Sequence, residues 1–228
     1  MARRPRPGTR EALLDAAREE FARVGLERAR VEDIARRAGI SKGAFYLHFA
    51  TKDACFREML QRFLGALEDH ARRRHEVEER LWRDPRVQGD RERLAAVFEA
   101  ECAEDTALLE LMWRNRQITA ALDGAGRPYR DLVSDFRRRM LALVANRIAE
   151  RQRTGVLRPD FDAAVFGEIV VGCYEDLARR MADMLDKPDL GGWTRTFLVV
   201  LYEGILARPA PAAAAPAPAR PLRRTRRA

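Results

Sequence analysis

The chain has 228 residues, 46% of them hydrophobic, and a formal net charge of +8, long enough to bury a substantial core as one large or two small domains. It has no apolar run of membrane-spanning length and no signal-peptide pattern. Its three cysteines, Cys55, Cys102 and Cys173, are odd in number and far apart, which argues against a disulfide framework or a zinc site. These features imply a cytoplasmic protein with no metal, cofactor or membrane partner. Residues 1–53 hold 12 basic and 8 acidic side chains, and residues 208–228 hold six arginines and no acid, so the middle is slightly acidic. Basic ends flanking a near-neutral middle fit a nucleic-acid binder.

In chain order, residues 1–8 form a basic arm, either solvated or lying along phosphates. A first helix is predicted from about Thr9 to Val24, with Leu13, Leu14, Ala17, Phe21 and Val24 inward and Gly25 as its stop. Arg28 and Arg30 follow, placed to meet a phosphate backbone or simply exposed. Val31, Ile34, Ala35 and Ala38 then fall at i, i+3, i+4 and i+7, the apolar stripe of a short helix. Gly39 closes that helix and Ser41 caps the next, whose Phe45 and Phe49, with Ile40, lean back onto the first. Two short helices joined by a tight glycine turn make a helix-turn-helix. The outward residues Lys42, Gly43, Ala44, Tyr46, Leu47 and His48 suit a nucleic-acid groove, and Thr51 and Lys52 open the next helix with a cap and a cation placed for one more phosphate.

At these residues the sequence resembles the DNA-binding domain of the TetR family of bacterial transcriptional regulators. The match runs through Thr9-Arg10, Phe21 and Gly25, the Val31–Ala38 helix, Gly39 to Phe49 and Thr51-Lys52, about the first quarter of the chain. Arg30 stands where the family commonly has a small hydroxyl cap, and Leu47 where a polar or aromatic groove residue is common. The resemblance implies an all-α fold: a three-helix reading head over residues 9–53, joined to a helical ligand-binding and dimerisation domain over residues 54–207. Arg208 to Ala228, rich in Pro, Ala and Arg, is expected to be a disordered tail.

From Thr51 a long helix continues through Phe56, Met59, Leu60, Phe63, Leu64 and Leu67 into a polar run from Asp69 to Glu79, where His70 and His75 read as surface histidines. Helices are then predicted at about Arg91–Ala103, Thr106–Ala121 and Tyr129–Arg153, with Gly124–Pro128 as a break and Gly155 as a stop. Asp160 or Asp162 caps the next helix. Ala163 to Tyr174 carries a single charge, Glu168, and the final helix, from about residue 192 to 207, is again apolar on more than one side. Such helices need cover beyond one core. In the resembled family the last two long helices form a four-helix bundle across a homodimer, which here implies contacts from Phe166, Val170, Leu177, Met181, Phe197, Leu201 and Ile205. Two reading heads related by a two-fold axis meet half-sites about 34 Å apart, hence a palindromic operator in double-stranded DNA.

The sequence contains no phosphate-binding glycine loop, no nucleophile in a recognisable context and no metal cluster, so an enzyme is not expected. The reading that follows is a dimeric repressor released from its operator by a small apolar ligand. Candidate cavity residues are Phe98, Cys102, Trp113, Asn115, Phe136, Met140, Cys173 and Tyr174, with Glu168 or Glu175 either favouring a cationic ligand or lying exposed. The alternative is a DNA-binding regulator, activators included, that answers to a partner protein and has no small-molecule pocket.

Overall fold

The computed structural model describes residues 8–124 and 129–205; residues 1–7 of the basic arm, 125–128 of the expected break and the tail lie outside the described residues. The described chain is helical: α1 Thr9–Arg28, α2 Val31–Arg37, α3 Lys42–Tyr46, α4 Lys52–Trp82, α5 Arg91–Arg114, α6 Arg116–Gly124, α7 Arg130–Arg153, α8 Ala163–Ala182 and α9 Leu190–Ile205, with a 3-10 turn at Pro85–Gly89 between α4 and α5.

Local chemistry sets most of the boundaries. Gly25 takes φ +77° inside α1 and breaks its regular path, so only a short turn, Leu26–Arg28, continues beyond the expected stop. Gly39 takes φ +69°, a left-handed conformation that suits glycine. Around it Ile40 N–H donates to the Ala35 carbonyl (2.9 Å) and Gly39 N–H to that of Arg36 (3.1 Å), the paired closure of a Schellman motif. Ser41 and Thr51 accept the backbone N–H of Ala44 and Ala54 and so start α3 and α4. Asp162, of the two expected candidates, caps α8 by accepting from Ala164 and Val165.

One predicted boundary moves. A break near residues 104–105 was expected between two helices, but α5 runs unbroken to Arg114. Glu104 and Asp105 are compatible with helix, and Thr106 donates its hydroxyl to the Cys102 carbonyl (2.7 Å) from mid-helix instead of capping a new one. The chain turns at Asn115, whose side-chain amide donates to the Leu111 carbonyl (2.8 Å).

The main core is continuous from the reading head into the body. Leu13, Phe21, Ile34 and Phe45 belong to the same buried cluster as Phe56, Leu60, Leu109, Ile118, Tyr129 and Met181. Phe56 joins the halves, with its ring edge-on to Phe21 (5.5 Å between centroids) and to Tyr129 (4.9 Å). Two smaller clusters finish the body: Val144, Ile148, Leu157, Val170 and Ile205 between α7, α8 and α9, and Cys102, Leu198 and Tyr202 between α5 and α9.

The polar stretch of α4 does not lie on the surface. His70, Arg74 and Glu78 are all buried, which corrects the surface reading of His70. Its Nε2 donates to the Glu104 carbonyl (3.0 Å), and burial lowers its pKa against the pull of that bond, so the ring is neutral. Arg74 bonds Glu78 through Nε (2.5 Å) and Asp105 through Nη1. Glu78 also receives Arg147 (3.1 Å) and Arg151 (2.7 Å) from α7. Tyr174 of α8 donates to Asp105 (2.7 Å), and the Trp82 indole donates to Glu101 (2.9 Å). Three guanidiniums and three carboxylates thus meet inside the body, the condition under which buried charge is tolerated.

Burial pushes the Glu78 carboxyl up, but Arg147, Arg74 and Arg151 outweigh it and hold its pKa at about 2, below the ordinary 4.5. Its contribution to stability is therefore complete above about pH 4.5 and lost as pH falls toward 2. Glu78→Gln is expected to cost about 3–5 kcal/mol at neutral pH, as for one broken partner of a buried charge cluster, and to flatten acid denaturation in that window. Urea denaturation followed by circular dichroism across pH 2–7 measures both.

Candidate nucleic-acid interface and central cavity

The reading head is held from inside by aromatic packing, with Phe45 fully buried and its ring 5.6 Å from that of Phe49. That packing fixes what α3 shows to solvent. Tyr46 is 47% and Leu47 60% exposed, and Arg28, Arg30, Ser41, Lys42, Gly43 and Thr51 are exposed beside them. Ala44 and His48 are half-buried. Ser41 and Thr51 use a hydroxyl oxygen to accept a backbone N–H (3.1 and 3.0 Å), which leaves each O–H able to donate to an anion. Arg30 starts α2 without a side-chain cap bond, since a guanidinium has no acceptor to offer the first N–H groups. Lys42 pairs with Glu32, an exposed contact that raises the lysine pKa through its hydrogen bond; exposed pairs of this kind are weak and exchangeable.

Lys52 does something different from what its sequence position suggested. Its Nζ donates to the carbonyls of Leu26 (2.8 Å), Glu27 (2.7 Å) and Ala29 (3.1 Å). All three of its N–H bonds are spent closing the end of α1, so the side chain has none left for a phosphate. Arg10, noted in sequence only as part of the helix opening, is a second tie. It donates to the His48 carbonyl (3.1 Å) and Glu58 Oε1 (3.0 Å) and lies over the Phe49 ring, 4.5 Å from its centroid.

Below the head a cavity of about 480 Å³ opens between α4, α5, α6, α7 and α8, within the usual range for small-molecule sites. Of the expected lining, Phe136, Met140 and Tyr174 are there, joined by Phe63, Leu67 and Met112, which the sequence pattern gave no reason to separate from plain core. The other candidates lie elsewhere. Phe98 stacks edge-on with Tyr202 (6.0 Å) and Cys102 packs in the same α5–α9 cluster. Trp113 is core, with Arg116 over its ring (3.9 Å), Asn115 ends α5, and Cys173 is half-buried outside the cavity wall. Glu168 and Glu175 both bind Arg137 (2.7 and 3.0 Å), so their charge is compensated. Tyr129, also in the cavity wall, donates its hydroxyl to Asp53 in the first turn of α4 (3.0 Å). Burial, that bond and the Asp53 charge raise its pKa, which keeps the phenol protonated and donating.

The apolar helices α8 and α9 bury within the protomer the side that was expected to meet a partner, and expose a different one. Met181 is completely buried within the protomer, Val170 and Ile205 are buried, and Phe166, Leu177, Phe197 and Leu201 pack partly against the cores. The exposed apolar residues are Val165 (60%) and Ile169 (55%) on α8, and Val199 (38%) and Val200 (70%) on α9. On α8 the two stripes differ by one position, about 100° of helix rotation, a difference invisible where nearly every residue is apolar.

His75, Glu79 and Glu150 bring ligand-type atoms within 4.8 Å of one another. Arg83 lies on Glu79 (3.3 Å) and Arg153 on Glu150 (3.4 Å), so the carboxylates are already charge-compensated. Among the described residues no helix is long and apolar enough to cross a membrane.

Residues 13–59 match the family described as bacterial regulatory proteins, tetR family. The chain is 28% identical over 202 residues to the HTH-type transcriptional regulator TtgR of Pseudomonas putida, covering 85% of this chain and 91% of that protein. It is 48% identical over 46 residues to the A-factor receptor protein of Streptomyces griseus, and 33% identical over 75 residues to the uncharacterized regulator YvdT of Bacillus subtilis. These matches span 20% and 33% of this chain, and only 17% and 39% of the relatives' own length. Among solved structures, NalD, the secondary repressor of the MexAB-OprM efflux pump in Pseudomonas aeruginosa, aligns with a TM-score of 0.60 at 21% identity over 87% of this chain and 95% of that one. SmeT of Stenotrophomonas maltophilia gives 0.62 at 16% over 86% and 90%. At such identities the likeness is one of fold.

Lys42, which opens α3, and Lys52, which opens α4, should separate in a stability measurement without DNA. Lys52→Met is expected to lower unfolding free energy by about 1–3 kcal/mol by leaving carbonyls short of a donor, whereas Lys42→Ala, which removes only an exposed pair with Glu32, is expected to leave it unchanged within experimental error. Equal effects in chemical denaturation would contradict the assignment of Lys52 to α1.

Proposed function

This chain belongs to the TetR family of bacterial regulatory proteins, and from that premise we propose that it is a sequence-specific, homodimeric DNA-binding repressor that a small molecule releases from a palindromic operator. The observation that carries the proposal is the surface of α3, a helix packed by Phe45 from within and offering Lys42, Gly43 and Tyr46 to solvent between exposed Arg28, Arg30 and Thr51. Lys42, Arg28, Arg30 and the Ser41 and Thr51 hydroxyls hold phosphate oxygens and set register, while Tyr46, Leu47 and, at its partly exposed edge, His48 meet base edges. Gly43 and Ala44 let the backbone come close. Lys52 acts indirectly, by keeping α1 and the start of α4 together.

A second copy covers Val165, Ile169, Val199 and Val200, which removes the exposed apolar surface of α8 and α9 from water. The cavity supports control by a small molecule over control by a partner protein, because its apolar wall contains Tyr129, whose hydroxyl reaches Asp53 on the helix that follows α3. A ligand that favours an arrangement with this bond broken shifts the population away from the DNA-competent state, and only its differential affinity for the two arrangements sets the size of the shift.

Lys42→Ala is expected to weaken binding to every duplex alike and to reduce the slope of log K against log salt by about one phosphate contact. An unchanged slope in fluorescence anisotropy titrations would show that Lys42 does not touch DNA. Ile169→Asp with Val200→Asp is expected to yield monomers in analytical ultracentrifugation with the reading head still folded. A dimer that persists through both charges would place the interface elsewhere.

A further inference from the structure

The cavity wall is not neutral. Its charged side chains are Arg74, Arg130, Arg147 and Arg179 against one carboxylate, Glu175, and Glu175 is already bound by Arg137 (3.0 Å). Arg179 is drawn to Asp176 (3.3 Å) at an exposed position. Arg74 is engaged by Glu78 and Asp105 in the buried ionic cluster. Arg147 differs from both. Its side chain is only 17% exposed, yet of its five N–H bonds only those on Nη1 have an acceptor among the described residues, the Glu78 carboxylate at 3.1 and 3.4 Å. Arg147 lines this cavity beside Met140, Val144 and Val170, and it also borders two neighbouring clefts, one toward α9 and one beside His75, Glu79 and Glu150.

Resting on the reading of this cavity as the regulatory site, we propose that its ligand is an amphipathic anion, an apolar chain or ring system ending in a carboxylate or similar group that Arg147 receives. A guanidinium in a wall that is otherwise mostly apolar favours an acceptor carrying negative charge. A cation would meet four arginines and a carboxylate that Arg137 has already claimed. A neutral apolar molecule would shed water from Arg147 without giving it a charged acceptor. In the cluster behind the wall, Glu101 faces Glu78 with little solvent access, and burial and that neighbouring charge raise its pKa over the opposing pull of Arg151 and Arg74.

The test uses the full-length protein and three probes with one shared chain, decanoate, decanol and decyltrimethylammonium, below their micellar concentrations. Each competes with N-phenyl-1-naphthylamine, a neutral fluorophore that reports on the cavity itself. Decanoate is expected to displace the fluorophore at concentrations about tenfold lower than decanol, with the cation weakest. In Arg147→Gln, which can still donate to Glu78, the ratio of decanoate to decanol within the same variant is expected to fall to about twofold, and Arg147→Lys is expected to restore part of it. Fluorophore binding with equal competition by the three probes, or with the cation strongest, would overturn the anion assignment while leaving a ligand-controlled cavity intact. A preference that survives in Arg147→Gln would overturn the role of Arg147. No fluorophore or probe binding at all would remove the ligand-controlled reading and this inference with it.

Discussion

The organisation of the body depends on the charge that α4 carries into it. A helix bearing Arg74 and Glu78 on an inward face has to find partners for both or leave them outside. Here the partners come from two helices, Asp105 on α5 and Arg147 and Arg151 on α7, and Tyr174 on α8 holds Asp105 in turn. Each bond has a defined direction and length, so the cluster fixes how these helices stand around α4 more narrowly than apolar packing would. The cavity lies between the same helices, and its polar character is inherited from the cluster beneath it.

The reading head is built on the opposite scheme. Its inside is aromatic and aliphatic, and its polar ties sit at the edges, where Arg10 reaches Glu58 and the His48 carbonyl and Lys52 reaches the end of α1. These ties do not select DNA. They hold α1, α3 and α4 as one body, so that the few side chains on the outside of α3 keep a fixed spacing. Tyr129 then connects that body to the cavity through a single phenol-to-carboxylate bond.

The parts legible in the sequence were those set by local chemistry. The glycine closure at Gly39, the caps at Ser41, Thr51 and Asp162, and the inward Phe45 and Phe49 all rest on residues within a few positions of one another. What the sequence hid depends on neighbours that are distant in the chain. Nothing near Lys52 says that three carbonyls of α1 will surround it. The polar run of α4 reads as solvent-facing until α7 supplies two arginines. In α8 the apolar residues run almost all round, so the stripe at Phe166, Val170 and Met181 and the stripe at Val165 and Ile169 fit equally well, and only the packed fold tells which is inside. Phe98 and Cys102 were sound apolar candidates placed one interface away, against α9 instead of the cavity.

Phe56, Met59 and Leu60 belong to α4, yet they lie in the same buried cluster as Leu13, Phe21, Ile34 and Phe45. The DNA-reading module therefore has no clean seam at residue 53, where the sequence suggested one. Grafting it onto another regulator means carrying the opening turns of the connecting helix along, because a chimera joined any earlier would expose the aromatic floor on which the recognition element rests.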